Sequence, residues 1–285
     1  MPEDRFPLAG HRVRRVGFGA MQLPGPGVFG PPKDRDQALA VLRRVIDAGV
    51  DHIDTSQFYG PDVANELIHE ALSPYPAGLV LVSKVGASRD DRGGWHPAQR
   101  PAELRSGVQA NLAGLGIDRV PIVNLRRIPG GEVGFDEQLD AMVAMRDEGL
   151  IGAVGVSNVT LDEYRQATTR TEIACVQNAY SVADRSAQQL LEACRDDEVA
   201  FVPFFPLGSA FNANNPVLTS EVVRGLADGL GVSPAQVALA WLLATAPNVL
   251  LIPGTSSPDH LEQNLAVGSI ELDAAAMADL ESVAA

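Results

Sequence analysis

Eight short runs rich in β-branched residues recur along the chain, separated by longer amphipathic stretches. The runs are RRVGFG (14–19), VDHIDT (50–55), LVLVSK (79–84), VPIVNLR (120–126), IGAVGVS (151–157), IACVQN (173–178), VAFVPF (199–204) and VLLIPG (249–254). Between them, residues 34–49 set Ala38, Val41, Leu42, Val45 and Ile46 at helical spacing and stop at Gly49. Residues 101–116 repeat this with Leu104, Val108, Leu112 and Leu115 before Gly116, and residues 136–149 again end in glycine. Ser233 and Pro234 open another helix as N-cap and first helical residue. Strand and helix alternating eight times argue for an α/β fold, a parallel sheet closed into a (β/α)8 TIM barrel. Barrels of about 250 residues form one unit, so residues 1–285 are expected to make a single domain.

The rival is an open doubly wound sheet, which needs a glycine loop joining its first strand tightly to a helix. Residues 25–30 read GPGVFG and match G-x-G-x-x-G, and Asp54 closes a strand at about the distance expected of a ribose contact. The surroundings do not suit that role. Pro26 lies inside the motif, and Pro31 and Pro32 follow where the helix should already run. Each proline in a helix interior costs about 3 kcal/mol. A loop over a barrel mouth is the better reading of this segment, although a Rossmann-type dehydrogenase using GPGVFG stays open at this stage.

Composition narrows the partners. The formal net charge is −14 and no Lys/Arg run exceeds two residues, so neither nucleic acid nor an anionic membrane is an expected partner. The longest largely apolar run, 237–246, is well short of the roughly 20 residues that span a bilayer. The first fifteen residues lack the apolar core of a signal peptide. Cys175 and Cys194 cannot build a disulfide framework, which fits a reducing, cytoplasmic setting. His11, His52, His69, His96 and His260 show no metal-ligand spacing, so no metal is expected. No G-x-S-x-G elbow is present for serine hydrolysis.

In a barrel, reacting groups stand at the C-terminal ends of the strands. Those ends carry Asp54, Lys84 and Arg126, with Tyr59 five residues past Asp54. Taken singly, each has a structural explanation, as a cap, a solvated strand end, a rim salt bridge or a loop aromatic. Taken together they make chemical sense. A lysine at a buried edge needs a carboxylate, and Asp54 is one strand away. A cation beside a phenol favours the phenolate, which would make Tyr59 a usable proton donor to a developing alkoxide.

The ordered motifs HIDTSQFYG, VSKVG, GVSN, VQNxY, PLGS and IPGTSSxxHLxxN, running from Gly17 to about Asn264, resemble the aldo-keto reductases. That resemblance implies an NAD(P)H-dependent reductase of aldehydes or ketones. It makes Tyr59 the general acid, Lys84 its partner and Asp54 the carboxylate holding Lys84. It implies a histidine at the end of strand 4, where this chain has Arg126. A guanidinium cannot act as a neutral imidazole, but it offers a fixed positive fork to a carbonyl oxygen or a nearby anionic substituent. Arg126 is therefore expected to polarise or orient substrate. The missing histidine also admits another reading, an NADPH-binding accessory barrel with little turnover.

By the same resemblance, Gly19, Ala20 and Met21 lie near the nicotinamide ribose, and Ser157, Asn158 and Gln177 hold the carboxamide. Phe204 aligns with the ring that stacks on nicotinamide, with Phe205 beside it. Pro206, Leu207, Gly208 and Ser209 follow the pyrophosphate. Gly254, Thr255, Ser256, His260, Gln263 and Asn264 fall at the adenosine end. Relatives place a lysine and an arginine on the 2′-phosphate where this chain has Gly254 and His260, which leaves NADH open; Thr255, Ser256, Ser257 and the helix N-terminus can still bind the phosphate, so NADPH is expected. GAMQLPGPGVFGPP, VNLR, VPFFPLG and LLIPGTSS together are similar to the branch containing bacterial pyridoxal reductases, which implies pyridoxal as substrate.

Overall fold

A computed structural model describes residues 4–208 and 215–284. The chain opens with an antiparallel hairpin, β1 (Arg5–Leu8) and β2 (His11–Arg14). Strand and helix then alternate: β3 (Phe18–Gly19), α1 (Arg35–Asp47), β4 (His52–Asp54), α2 (Val63–Leu72) and β5 (Val80–Val85). A second hairpin, β6 (Ala87–Arg89) and β7 (Trp95–Pro97), precedes α3 (Pro101–Leu115). The alternation resumes with β8 (Val120–Arg126), α4 (Phe135–Asp147), β9 (Ile151–Ser157), α5 (Leu161–Arg170), β10 (Ile173–Ala179), α6 (Gln188–Asp196) and β11 (Ala200–Phe204). Five helices complete the order: α7 (Pro216–Thr219), α8 (Glu221–Leu230), α9 (Pro234–Thr245), α10 (Pro258–Leu265) and α11 (Ala274–Glu281).

Seven strands form one parallel sheet in the order β11-β10-β9-β8-β5-β4-β3. The eighth expected run touches both edges. Val249 bridges to Phe201 in β11, and Leu251 bridges to Val16 just before β3, both parallel. Leu250 N donates to Phe201 O at 2.9 Å, and Gly17 N donates to Leu251 O at 2.8 Å. The curled sheet with helices outside it fits a (β/α)8 barrel.

Two of the eight runs are less regular than their sequences suggest. Residues 14–19 hold the end of β2, a single bridge at Val16 and the short β3. The Arg15 side chain turns inward and donates to the carbonyls of Val249 (3.1 Å), Leu243 (2.6 Å) and Ala246 (2.6 Å), satisfying carbonyls near the C-terminal end of α9. Residues 249–254 pair by isolated bridges, and Pro253 has no N–H to extend the ladder.

Helix boundaries follow local chemistry. Asp34 accepts from Gln37 N at 2.9 Å and starts α1. Ser233 and Gln236 form a reciprocal capping box at α9, with Pro234 at its first turn. Gly116 ends α3 in the left-handed conformation at φ +63°. The GPGVFG segment opens no helix, since α1 begins at Arg35.

The barrel interior is divided along its axis. At the N-terminal end Leu8 and Val13 of the first hairpin pack with Val80, Val82, Ile122, Ala200, Val202 and Leu250 and close the floor. Above them, Asn124 and Cys175 fill the layer beside Gly155, where a Cβ would come within 2.2 Å of Asn124 Oδ1. The opposite end is open. No single helix among the described residues is long and apolar enough to cross a membrane, and no group of His, Cys, Asp and Glu among them is placed to hold a metal ion.

Candidate active site

The open end of the barrel forms a cavity of about 730 Å³, within the usual range for small-molecule sites. Asp54, Tyr59, Lys84 and Arg126 all line it. So do Gly19, Met21, Asn158, Gln177, Phe204, Pro206, Leu207, Gly208, Gly254, Thr255, His260, Gln263 and Asn264. Ala20, Ser157 and Ser256 do not contribute to its wall. Ala20 is buried behind it, and Ser256 lends its carbonyl to Gln37 Nε2 at 2.6 Å. Ser209 lies outside the described residues.

Register explains why the ionisable groups meet. Asp54 in β4 pairs with Val82 in β5, and Lys84 stands two residues further along, on the same face. The Lys84 Nζ donates to Asp54 Oδ1 in a buried ion pair, and to Thr55 O at 3.3 Å. Burial works against the ammonium, but the Asp54 carboxylate and the Tyr59 hydroxyl together outweigh it and hold the lysine pKa above its ordinary value. Lys84 Nζ lies 5.0 Å from the centre of the Tyr59 ring. The main chain sets Tyr59 through Tyr59 N donating to Ser56 O at 3.1 Å. Thr55 and Ser56 do not cap α2: Thr55 Oγ1 donates to Asn65 Oδ1 at 2.8 Å and Ser56 Oγ to Lys84 O at 3.2 Å.

Gln177 reaches the same carboxylate from β10, its Nε2 donating to Asp54 Oδ2 at 2.7 Å. Asp54 thus has one oxygen on lysine and one on an amide. The Gln177 Oε1 is buried with no hydrogen-bond partner. Buried acceptors are almost always satisfied, and this one belongs to a residue that lines the cavity. Next to it, Asn158 stands in the left-handed conformation at φ +58°. Its N donates to Gln177 O and its Nδ2 to Arg127 O, both at 2.9 Å. Gly19 and Gly254 meet across the wall, since a Cβ on Gly254 would lie 2.3 Å from Gly19 O.

Residues 15–285 match the aldo/keto reductase family. The chain belongs to that family. It is 44% identical to pyridoxine 4-dehydrogenase of Escherichia coli (strain K12), over 99% of each chain. It is 36% identical to an uncharacterized oxidoreductase of Schizosaccharomyces pombe, over 94% of this chain and 86% of that one. The crystal structure of an aldo-keto reductase from Klebsiella pneumoniae in complex with NADPH superposes with a TM-score of 0.83 at 27% identity, covering 99% of this chain and 95% of that one.

The cavity of this aldo-keto reductase also holds the cation of Arg126. Arg126 Nη1 donates to Ser157 Oγ at 3.2 Å, and its guanidinium lies 5.0 Å from the centre of the Phe204 ring. Burial lowers its pKa, while Tyr59 and then Asp54 pull the other way. No carboxylate among the described residues forms a salt bridge with it, unlike its neighbour Arg127, whose Nε meets Glu163 Oε1 at 3.2 Å. The two arginines diverge as strand alternation requires, Arg126 toward the cavity centre and Arg127 toward α4 and α5.

Sequence reading missed several wall residues. Phe58 and Trp95 stand beside Tyr59, and Ser233, Pro234 and Ala235 bring the start of α9 to the rim. The α9 start was legible as a helix N-terminus, but its place at the cavity depends on how α9 folds back. Trp95 sits on a three-residue strand with no periodic pattern to announce it.

Proposed function

We propose that this chain is an NADPH-dependent aldehyde reductase whose leading substrate is pyridoxal, reduced to pyridoxine. One observation carries the reading: a buried Asp54–Lys84 pair beside Tyr59, at the base of a cavity whose adjoining wall holds the unmet Gln177 acceptor. The residues present suit the cofactor. Gln177 and Asn158 would hold its carboxamide, Gln177 Oε1 being the acceptor left without a partner. Gly19 and Gly254 let two wall segments pack backbone to backbone, and Thr255, Gln263 and Asn264 supply neutral polar groups at the proposed adenosine end. Ser157 supports the site indirectly, by holding Arg126. The bound cofactor supplies hydride to the carbonyl carbon.

The chain's own residues handle the oxygen. Tyr59 donates its proton as the carbonyl becomes an alkoxide. Lys84 stands charged beside the phenol and stabilises the negative charge left on it, and Asp54 keeps that ammonium in place. Arg126 orients the substrate and polarises its carbonyl with N–H donors free of any carboxylate. Phe58, Trp95, Ile128 and Phe204 give the cavity apolar walls around the reacting centre. The 44% identity to a pyridoxine 4-dehydrogenase supports pyridoxal, and the fold shared with an NADPH complex supports the cofactor. Two buried free thiols fit a reducing, cytoplasmic setting.

The test is loss of NADPH absorbance with pyridoxal against a panel of aromatic aldehydes, repeated with NADH. The proposal expects pyridoxal to rank high and kcat/KM to favour NADPH. Pyridoxal ranking last would refute the substrate, and a strong NADH preference would refute the cofactor. Tight NADPH binding with no oxidation by any carbonyl would favour an accessory barrel instead.

A further inference from the structure

The GPGVFG segment (25–30) has no part in the chemistry above, yet its backbone is tied to the residue that follows Tyr59. Phe29 pairs with Gly60 in a parallel bridge. Gly30 N donates to Gly60 O at 2.7 Å, and Gly60 N donates to Val28 O at 3.2 Å. Val28 itself sits at φ +59°, an outlying conformation for a β-branched residue, and it is buried. Such a conformation persists only where its surroundings over-determine it, and it is often found at functional sites.

Arg89, from β6, provides much of that restraint. Its Nη1 donates to Val28 O, its Nη2 to Gly27 O and its Nε to Gly93 O, each at 3.0 Å. The guanidinium also lies 4.1 Å from the Trp95 ring centre and 5.4 Å from that of Phe29. Trp95 meets Phe58 edge-on at 5.4 Å, and Phe58 meets Tyr59 edge-on at 5.3 Å. Trp95, Phe58 and Tyr59 line the cavity while Arg89 does not, so Arg89 backs the tryptophan from outside the cavity.

Arg89 therefore reaches Tyr59 by two routes, one through the Val28 carbonyl and Gly60, the other through Trp95 and Phe58. We propose that Arg89 is a positioning residue that locks loop 25–30 to fix Tyr59 and presents Trp95 as a platform for the flat ring of an aromatic aldehyde. The inference rests on the reductase reading and names the residues that would favour an aromatic over a straight-chain aldehyde in it. A planar ring gains from an indole surface held rigid by a cation on its other side, whereas a straight-chain aldehyde offers no matching face.

The experiment measures kcat and KM for pyridoxal, benzaldehyde and butanal in wild type, Arg89→Met, Arg89→Lys and Trp95→Leu. NADPH Kd and Tm are measured on the same proteins. Arg89→Met keeps the apolar stem and removes the donors and the charge. It is expected to lower kcat on all three aldehydes by roughly 10- to 100-fold, as a misplaced proton donor does, with NADPH Kd within about threefold. Arg89→Lys should recover part of that loss. Trp95→Leu should lower the aromatic-to-straight-chain ratio of kcat/KM by about tenfold. Arg89→Met with kcat per folded molecule unchanged would overturn the positioning role, and an unaltered ratio in Trp95→Leu would overturn the platform. Tyr59→Phe in the same assay separates the two levels. Turnover that survives it removes the reductase reading itself, whereas turnover lost in Tyr59→Phe with both other variants unaffected removes this inference alone.

Discussion

The two ends of the barrel use the same strands for opposite purposes. Followed toward its C-terminal end, β5 points Val80 and Val82 inward at the floor and then Lys84 at the mouth. β8 runs from Ile122 through Asn124 to Arg126, β10 from Cys175 to Gln177, and β11 from Ala200 and Val202 to Phe204. The change from packing to chemistry takes one inward step on β5, β10 and β11 and two on β8, because inward positions recur every two residues. The floor is sealed by Leu8 and Val13 and is largely apolar, His52 beside Val80 being its buried polar side chain, whereas the mouth keeps a buried ion pair. Stability and reactivity are thus separated by about 7 to 13 Å of strand, and substitutions at the two ends should differ in kind.

The largest effect is expected at the mouth. Tyr59→Phe removes one oxygen and should reduce kcat by about 10² to 10⁴-fold, with Tm and NADPH Kd nearly unchanged. Substantial residual turnover would break the comparison. At the floor the reverse is expected. Leu250→Ala empties part of the plug and should cost about 2–5 kcal/mol in chemical denaturation, while kcat per folded molecule stays near that of wild type.

Asp54→Asn lies between these cases, since it strips the partner from a buried ammonium. Breaking such a pair typically costs about 3–5 kcal/mol. The Lys84 pKa is raised in the folded state. Its contribution to stability is therefore complete below the unfolded value near 10 and is lost as pH rises through the folded value. Between about pH 7 and 9 this pair should add no slope to wild-type stability. In Asp54→Asn burial faces less opposition, so Lys84 should discharge at lower pH and the alkaline limb of kcat should move down. An alkaline limb that stays in place would show that Lys84 does not govern it.

Much of the mouth was legible from the chain because its chemistry needs scarce residue types at strand ends. Asp54, Lys84 and Arg126 end runs of apolar residues, and nothing about packing calls for charge there. The floor was less legible. A short hairpin of residues 5–14 gives no long periodic pattern, and its role as a plug depends on packing between distant segments. The closing run 249–254 was found as a strand by composition, yet it pairs by single bridges because proline and the barrel seam interrupt the ladder. Trp95 and Arg89 were passed over for a similar reason. Their value comes from stacking across the β6–β7 hairpin, which linear spacing does not encode.

The smallest expected effect is at the exposed rim proposed for the adenosine end. His260 lies in α10, whose first turn is capped by Ser257. His260→Ala should change NADPH Kd by no more than about threefold and stability by less than about 0.5 kcal/mol, as titration and thermal unfolding would show. A large loss of NADPH affinity with NADH affinity intact would instead make His260 the phosphate ligand, and would sharpen how the rim tells the two cofactors apart.

The most direct test of the central claim is a crystal structure of this protein with NADPH bound. The account expects the nicotinamide carboxamide to donate to Gln177 Oε1, with the reactive ring face open toward Tyr59 and Lys84 still paired with Asp54. A nucleotide seated on the GPGVFG loop or at the barrel floor, with the Tyr59 hydroxyl turned away from Lys84, would contradict it.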